Sequence, residues 1–257
     1  MMRLIINADD LGINKEVNDA IFGFMLREIV TSATIIANAP QALEALEISR
    51  KFSGCSFGVH LNLTEFKPLT DNPDLAPLLT ADGEFSGKSE RDVQMTSALR
   101  EAIFDEWSAQ IDCVTSYNQV VSHIDSHHHV HTIPRLFSVL KRVQRKFGIR
   151  KVRLSKNIYG PMHPCHAGLL VRKQLWNFAL RHYFRTNTTL GFTSFQEFYD
   201  LVQKDLISTG LSLVKHATEV IELMVHPGNP GFRQENCLLS SGWIERREFK
   251  RISYNEI

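Results

Sequence analysis

The chain has 257 residues, of which 43% are hydrophobic and 22% are charged, and these values are ordinary for a soluble globular protein. A formal net charge of +1 gives no general electrostatic footprint for nucleic acid or for a membrane surface. The four cysteines are far apart and include no Cys-x-x-Cys pair, so neither a disulfide framework nor a thiolate zinc site is indicated. A reducing, cytoplasmic location is therefore expected.

The N-terminal region reads as a short buried strand over residues 3–7 that runs directly into Asp9 and Asp10. Successive side chains of an extended strand point to opposite sides, so the two acids are expected to take separate roles. Asn14 is a suitable N-cap for the amphipathic helix that the spacing of apolar residues predicts over 14–28.

The next segments alternate between strand and helix patterns. A run of β-branched residues predicts a strand over 29–37, and a short helix follows through Phe52. A third strand over 56–64 places His60 on its polar face. Residues 64–88 contain prolines and glycines without clear periodicity, which is more typical of a functional loop than of a connector.

A cluster of histidines lies in the middle of the chain, where positions 123–131 hold five of the eleven histidines. Neutral imidazole is the commonest metal-binding side chain. With a period of two, His123, Asp125, His127, His129 and His131 share one face of an extended segment, and with a period of 3.6, His123, His127 and His131 share a helix face. Either arrangement brings several imidazoles together, so the sequence predicts a metal site rather than a solvated loop.

The remaining elements continue the alternation. Arg153 alternates against two apolar residues in a predicted strand, and His226 follows directly after the last clear strand. The pattern becomes weak after Gly231. The predictions for this part of the chain are a helix over 89–111, a strand that includes Cys113-Val114 and Val120-Val121, helices over 134–147 and 169–183, a strand over 151–154, a capped helix over 194–206 and a strand over 218–225.

Polar side chains thus fall at the ends of five predicted strands. Alternating strands and helices favour a parallel sheet with crossover helices, and reactive groups in a (β/α) barrel lie at the carboxyl ends of different strands. The sequence therefore predicts one α/β domain over residues 1–257. The side chains expected to converge are Asp9 and Asp10, His60, the cluster from His123 to His127, Arg153 and His226.

Five segments of the chain resemble the YdjC family of carbohydrate deacetylases, which includes chito-oligosaccharide deacetylases. The resemblance implies a distorted (β/α) barrel with parallel strands. The family usually has Phe where Leu11 stands, which leaves substrate choice open. The matching segments are Asn-Ala-Asp-Asp-Leu-Gly at 7–12, Val-Thr-Ser-Ala-Thr at 30–34, Gly-Val-His-Leu-Asn-Leu-Thr at 58–64, His-Ile-Asp-Ser-His-His-His-Val-His at 123–131 and Val-His-Pro-Gly at 225–228.

The resemblance also implies a function and a set of roles. The expected activity is removal of the N-acetyl group from an acetylated amino sugar or chito-oligosaccharide, by attack of a water activated by one divalent metal ion, Mg or Zn. No nucleic-acid or membrane partner is expected, and a homo-oligomer is compatible with the sequence. The implied roles are metal binding by Asp10, His60 and His127, general base for Asp9, general acid for His226, orientation of that base by Arg153, and orientation of the ligand imidazoles by His123 and Asp125.

Two alternatives belong to other classes. A non-haem iron oxygenase also uses two histidines and one carboxylate, and His123-x-Asp125 with the distant His226 has that composition; dependence on O₂ and a 2-oxo acid would identify it. A non-catalytic metal or sugar binder would keep the metal ligands without requiring Asp9. A zinc protease motif is excluded because Ile124 stands where His-Glu-x-x-His needs its base.

Overall fold

Strand β1 (Arg3–Leu11) lies in the middle of a parallel sheet. The computed structural model describes residues 2–87, 93–160, 165–184, 186, 188–204 and 220–257. Within these residues the other strands are β2 (Ser32–Ile35), β3 (Ser56–Leu61), β4 (Val121–Ser126), β5 (Gly191–Ser194), β6 (Val220–Val225) and β7 (Lys250–Arg251). Their order is β4-β3-β2-β1-β6-β5, with β7 paired to β1, and all of these pairings are parallel.

Helices connect and flank the strands. Asn14 caps the first helix, since its side chain accepts a hydrogen bond from the backbone N–H of Val17 at 2.8 Å, and Gly148 ends the fourth in the left-handed conformation that glycine permits. The described α-helices are α1 (Lys15–Leu26), α2 (Ala42–Ser49), α3 (Ser97–Ser116), α4 (Phe137–Phe147), α5 (Ala167–His182), α6 (Phe195–Gln203) and α7 (Arg233–Ser240).

Residues 151–158 link the two edges of the sheet and curl it into a half-barrel. The backbone N–H of Arg153 donates to the carbonyl of Ile124 in β4 at 2.9 Å, and the N–H of Ile158 donates to the carbonyl of Phe192 in β5 at 3.3 Å. Only an isolated bridge, Ile124 to Val152, forms along this segment. The expected distorted barrel of parallel strands in a single α/β domain is therefore confirmed as a sheet curled into a half-barrel, and its distortion lies here.

The C-terminal segment returns to the first strand. β7 pairs with Arg3 and Leu4, whereas β2 pairs with β1 only from Asn7 onward. β7 thus lies beside the amino-terminal part of β1. The tail beyond it closes the amino end of the half-barrel, where the side chain of Tyr254 is completely buried.

The structure corrects several sequence expectations. Cys113-Val114 is predicted to belong to a strand, but both residues lie in α3, which begins at Ser97 and ends at Ser116, five residues beyond the predicted end of this helix. The predicted strand at 151–154 is reduced to a bridge because it hydrogen-bonds to β4 at too few positions. The weak pattern after Gly231 contains α7 and β7. Parts of the predicted helices over 89–111 and 194–206, and of the strand over 218–225, lie outside the described residues.

The loop at 64–88 is only partly irregular. It contains a 3₁₀ helix, Pro73–Leu78, and an antiparallel bridge between Leu79 and Phe85. Leu75, Leu78 and Phe85 are buried, so apolar contacts fix the loop to the domain. None of the helices in the described part of the chain is long and apolar enough to cross a membrane.

Candidate metal and catalytic site

A backbone irregularity at the end of β1 brings two adjacent acids to the same place. The register between β1 and β2 shifts between Ala8 and Leu11, and Asp10 has a φ of 67°, a left-handed conformation that costs a non-glycine residue about 1–2 kcal/mol. The side chains of Asp9 and Asp10 therefore do not point to opposite faces of the strand. His60 Nε2 lies 3.4 Å from Asp10 Oδ1 and 3.9 Å from Asp9 Oδ2, so the expectation that the two acids face opposite sides is wrong.

Asp10, His60 and His127 form a buried group that can hold a metal ion. Their nearest ligand atoms all lie within 4.8 Å of one another, and His127 Nδ1 is 2.9 Å from Asp10 Oδ1. Asp10 Oδ1 and His127 Nε2 are buried without a hydrogen bond of good geometry. One carboxylate and two imidazoles suit zinc and other divalent ions, and the Asp10 oxygen that lies between the two imidazoles fits such a ligand role.

A second carboxylate stands behind His60. Asp125 Oδ1 lies 2.7 Å from His60 Nδ1, and Thr34 Oγ1 donates to Asp125 Oδ2 at 3.0 Å. A carboxylate on one ring nitrogen fixes the tautomer and directs the other nitrogen to a metal. Burial alone would lower the pKa of His60, but Asp125 and the two acids of β1 raise it to about 10, so a metal ion bound here would have to displace a proton from this imidazole.

Glu65 makes the corresponding contact to the other imidazole. Its Oε1 lies 3.2 Å from His127 Nε2, and it forms a second possible metal-binding group with His127 and His128. The loop at 64–88 is predicted to be functional, but Glu65 is not among the predicted site residues. No local pattern could have identified it, because His127 lies more than sixty residues further along the chain.

Arg153 is completely buried and holds Asp9 with both of its terminal nitrogens. Nη1 donates to Asp9 Oδ2 and Nη2 to Asp9 Oδ1, each at 2.6 Å, a bidentate pairing that fixes the carboxylate plane. Burial alone would raise the pKa of Asp9, but the guanidinium outweighs it and holds this pKa well below its usual range. Asp9 is therefore an anion throughout the neutral pH range.

Two further acids share the same guanidinium. Arg153 Nη1 lies 2.9 Å from Asp125 Oδ2, and Arg153 Nε donates to Glu222 Oε1 at 2.6 Å. Burial raises the pKa of Glu222 to about 7, with Arg153 opposing it. The sequence reasoning missed Glu222, although a glutamate inside the apolar run of β6 was a usable signal, since glutamate is almost never fully buried without a partner.

His226 follows β6 and lies close enough to Asp9 and Asp10 to interact with their charges. Its backbone N–H donates to Glu235 Oε1 at 2.5 Å, and its ring stacks on Phe232 with centroids 3.8 Å apart. Burial alone would lower the pKa of His226, but Glu235 and Asp9 raise it. An imidazolium at neutral pH can donate a proton. Glu235 was not predicted, because it lies in the weak pattern beyond Gly231.

The other histidines of the cluster have different surroundings. The strand pattern ends at Ser126, and His128 and His129 adopt left-handed conformations in the 3₁₀ turn His127–Thr132, so neither periodicity extends through the cluster. His131 Nδ1 lies 2.5 Å from Ser126 Oγ, and its Nε2 lies 3.1 Å from the carbonyl of Arg153. These contacts brace the turn that carries His127.

His123 does not contact His60 or His127. Its ring stacks on Tyr254 with centroids 3.7 Å apart, and its Nδ1 lies 2.8 Å from Ser122 Oγ. A Cβ at Gly58 would come within 2.6 Å of this ring, so glycine is needed there. The expectation that His123 orients a ligand is therefore corrected, because β4 directs its ring toward the amino end of the half-barrel. Of His123 and Asp125, only Asp125 contacts His60.

Comparison with known proteins gives a consistent assignment. A protein named carbohydrate deacetylase from Vibrio campbellii is 30% identical over 97% of this chain and 86% of its own length. Another of the same name from Geobacillus stearothermophilus is 36% identical over 59% of this chain and 60% of its own. The crystal structure of a putative cellobiose-phosphate cleavage protein from Enterococcus faecalis superposes with a TM-score of 0.75 at 26% identity, over 99% of this chain and 98% of that one. The family model described as YdjC-like protein matches residues 3–249, and the chain belongs to this YdjC-like family.

Proposed function

We propose that this protein is a metal-dependent carbohydrate deacetylase that removes the N-acetyl group from an amino sugar or chito-oligosaccharide. The observation that carries the proposal is the convergence of Asp9 and Asp10 on His60, with Arg153 behind Asp9. Asp10 contacts both imidazoles, and the shortest contacts of Asp9 are to the guanidinium of Arg153. The names of the curated relatives support the same reaction class.

In this proposal Asp10, His60 and His127 hold one divalent ion, Mg or Zn. Bound there, the ion would polarise the acetamide carbonyl and lower the pKa of water. Asp125 and Glu65 lie against the far nitrogens of the two imidazoles, where carboxylates orient ligand histidines.

Asp9 and His226 provide the two proton transfers. Asp9 accepts a proton from the water whose oxygen attacks the acetyl carbon, and Arg153 holds its carboxylate in place for that step. As the C–N bond breaks, the imidazolium of His226 protonates the departing amine nitrogen. The products are acetic acid, which ionises to acetate, and the free amino sugar. Asp9 then releases its proton to solvent and His226 takes one up, which restores both residues.

A non-catalytic binder is the second candidate, and the environment of Asp9 argues against it. Asp9 is buried with its oxygens bonded to Arg153 and Asn7. A binder would need the three ligands but would gain nothing from a buried, precisely oriented anion next to them. The two candidates therefore differ in whether replacement of Asp9 abolishes a reaction.

The proposal is tested by acetate release from N-acetylated mono- to oligosaccharides, with metal-free protein reconstituted with Mg²⁺ or Zn²⁺. We expect release only with metal. His60→Ala and His127→Ala should lose most bound metal and activity while folding normally, and His182→Ala, an exposed histidine on α5, is the matched control. Full metal occupancy in both ligand variants would refute the ligand assignment, and the absence of acetate from every acetylated sugar would refute the reaction.

A further inference from the structure

Tyr254 is held at the amino end of the half-barrel by contacts on three sides. Its ring stacks on His123, with an interplanar angle of 12°. Its backbone N–H donates to Ser56 Oγ at 2.9 Å, and its carbonyl accepts a hydrogen bond from Lys151 Nζ. The ring is completely buried, so the position of its hydroxyl is fixed.

That hydroxyl begins a continuous chain of hydrogen bonds that ends at Asp9. Tyr254 Oη donates to Glu222 Oε2 at 2.5 Å. The other oxygen of Glu222 accepts from Arg153 Nε at 2.6 Å, and the two terminal nitrogens of Arg153 donate to Asp9. Each of the four side chains that form this series of hydrogen bonds is at most 3% exposed, so water does not replace any of these partners.

The chain of hydrogen bonds crosses the inside of the half-barrel. Glu222 is in register with Ile5 of β1, four residues before Asp9, and at a rise of about 3.3 Å per residue this separation is roughly 13 Å. Tyr254 lies at the amino end of the sheet and Asp9 at the carboxyl end, where the candidate site lies. A residue of the C-terminal tail is thereby connected to the site from the opposite end of the sheet.

We propose that Tyr254 is a positioning residue that fixes the carboxylate of Asp9 through Glu222 and Arg153. The inference rests on the proposed function, in which Asp9 is the general base. Three carboxylates contact one guanidinium, so the plane of the guanidinium depends on where each carboxylate is held. The tyrosine hydroxyl fixes the carboxylate of Glu222, and Glu222 fixes the Nε edge of Arg153. The other edge of the guanidinium, which carries Nη1 and Nη2, is thereby held in the orientation that binds both oxygens of Asp9.

Removal of the hydroxyl would leave Glu222 Oε2 buried without that donor. A carboxylate in this state turns toward another donor, and Arg153 is the donor already in contact with it. The guanidinium would tilt, and the bidentate pairing with Asp9 would be disturbed. Small displacements of a reacting group reduce the rate strongly, whereas substrate binding and metal binding involve other residues.

The test separates the hydroxyl from the packing of the ring. Tyr254→Phe keeps the stacking on His123 and removes only the hydroxyl. On the full-length, metal-loaded protein we expect kcat for acetate release to fall about tenfold, the effect of losing one buried hydrogen bond, with KM and the metal Kd unchanged. The matched control is Glu256→Gln, which weakens the turn at the end of the chain through the bond from Ser253 N–H to Glu256 Oε1 without touching Glu222. It should lower Tm and leave kcat at the wild-type value.

A double-mutant cycle shows whether Tyr254 acts through Asp9. In an Asp9→Asn background, Tyr254→Phe should cause no further loss of kcat, because residues that act as one unit are non-additive. Glu222→Gln is the second variant, should the first fold poorly, and the same non-additivity is expected. Wild-type kcat in Tyr254→Phe, or an equal loss in both backgrounds, overturns this inference while the role of Asp9 stands. Wild-type kcat in Asp9→Asn overturns both.

Discussion

Two buried cations of this protein have opposite surroundings. Arg153, at the centre of the half-barrel, contacts three carboxylates, which raise its pKa against the effect of burial. Lys141 of α4 has three neutral partners: its Nζ donates to Gln144 Oε1, the carbonyl of Leu180 and Thr186 Oγ1, at 2.8–2.9 Å. Burial lowers the pKa of Lys141 to about 8.

The difference between charged and neutral partners indicates a different role for each cation. Lys141 uses three donors to join α4 to the end of α5, and a neutral arrangement could do the same work. Arg153 neutralises three buried carboxylates that would otherwise be unfavourable in the core. Buried charged groups of this kind are typical of functional sites. We therefore expect substitutions at Arg153 to affect the reaction and substitutions at Lys141 to affect only stability.

The largest effect is expected from Arg153→Met. Three buried carboxylates would lose their cation, and breaking a buried ion pair from one side costs about 3–5 kcal/mol. Urea unfolding at pH 7 measures this loss of stability. Arg153→Lys keeps the charge but not the planar fork, so it should fold but deacetylate the acetylated sugar at least about 10²-fold more slowly. Near-normal turnover in Arg153→Lys would show that bidentate support of Asp9 is unnecessary.

His226→Ala separates proton transfer from metal binding within the site. His226 contacts Glu235 and Phe232, not His60 or His127. As general acid it should contribute roughly 10²–10⁴-fold to turnover without affecting metal content. Single-turnover rates and metal analysis on the same samples check this, and a variant with near wild-type turnover would remove His226 from the mechanism.

Lys141→Met should give the smallest effect at neutral pH. It removes three hydrogen bonds, each worth about 1 kcal/mol net, but also removes the desolvation of a buried charge. Activity and metal affinity should equal those of the wild type. A loss of turnover beyond the fraction unfolded would contradict the contrast drawn between the two cations.

The wild type and Lys141→Met should also differ in how their folding stability depends on pH. The pKa of Lys141 is about 8 in the folded chain against an ordinary value of 10.5, so between these values the unfolded chain binds more protons and folding stability rises with pH. The advantage of the wild type over Lys141→Met should therefore grow from pH 8 to pH 10, because the other titrating groups cancel. Urea midpoints at both pH values measure this growth, and a difference that stays constant or shrinks would contradict the lowered pKa.

Metal binding provides a prediction about protons. The carboxylates around His60 raise the pKa of its imidazole to about 10 despite burial, and a ligand histidine must be neutral. Binding at neutral pH should therefore release about one proton or more, and affinity should increase as pH rises toward 10. Calorimetry in two buffers of different ionisation enthalpy measures the release. Equal apparent enthalpies in both buffers would show that His60 is not a ligand.

The sequence was informative where the determinants are local. Strand and helix periodicity indicated the alternation and hence a parallel sheet with crossover helices, and the positions of His60 and His226 at strand ends followed from it. The distorted barrel was implied by the family resemblance. The left-handed Asp10 was not predictable from alternation, because the register shift depends on how β1 pairs with β2. Glu65 and Tyr254 were missed for a related reason: each acts through contacts with residues far away in the chain.

The central claim is that adjacent acids have different roles, and metal stoichiometry measured beside acetate release tests it most directly. With one chito-oligosaccharide substrate, Asp9→Asn should keep its metal and bind substrate but release acetate at least about 10²-fold more slowly, whereas Asp10→Asn should weaken metal binding itself. Loss of metal in Asp9→Asn with retention in Asp10→Asn would mean that the roles are exchanged. Acetate release at the normal rate in Asp9→Asn would contradict the account altogether.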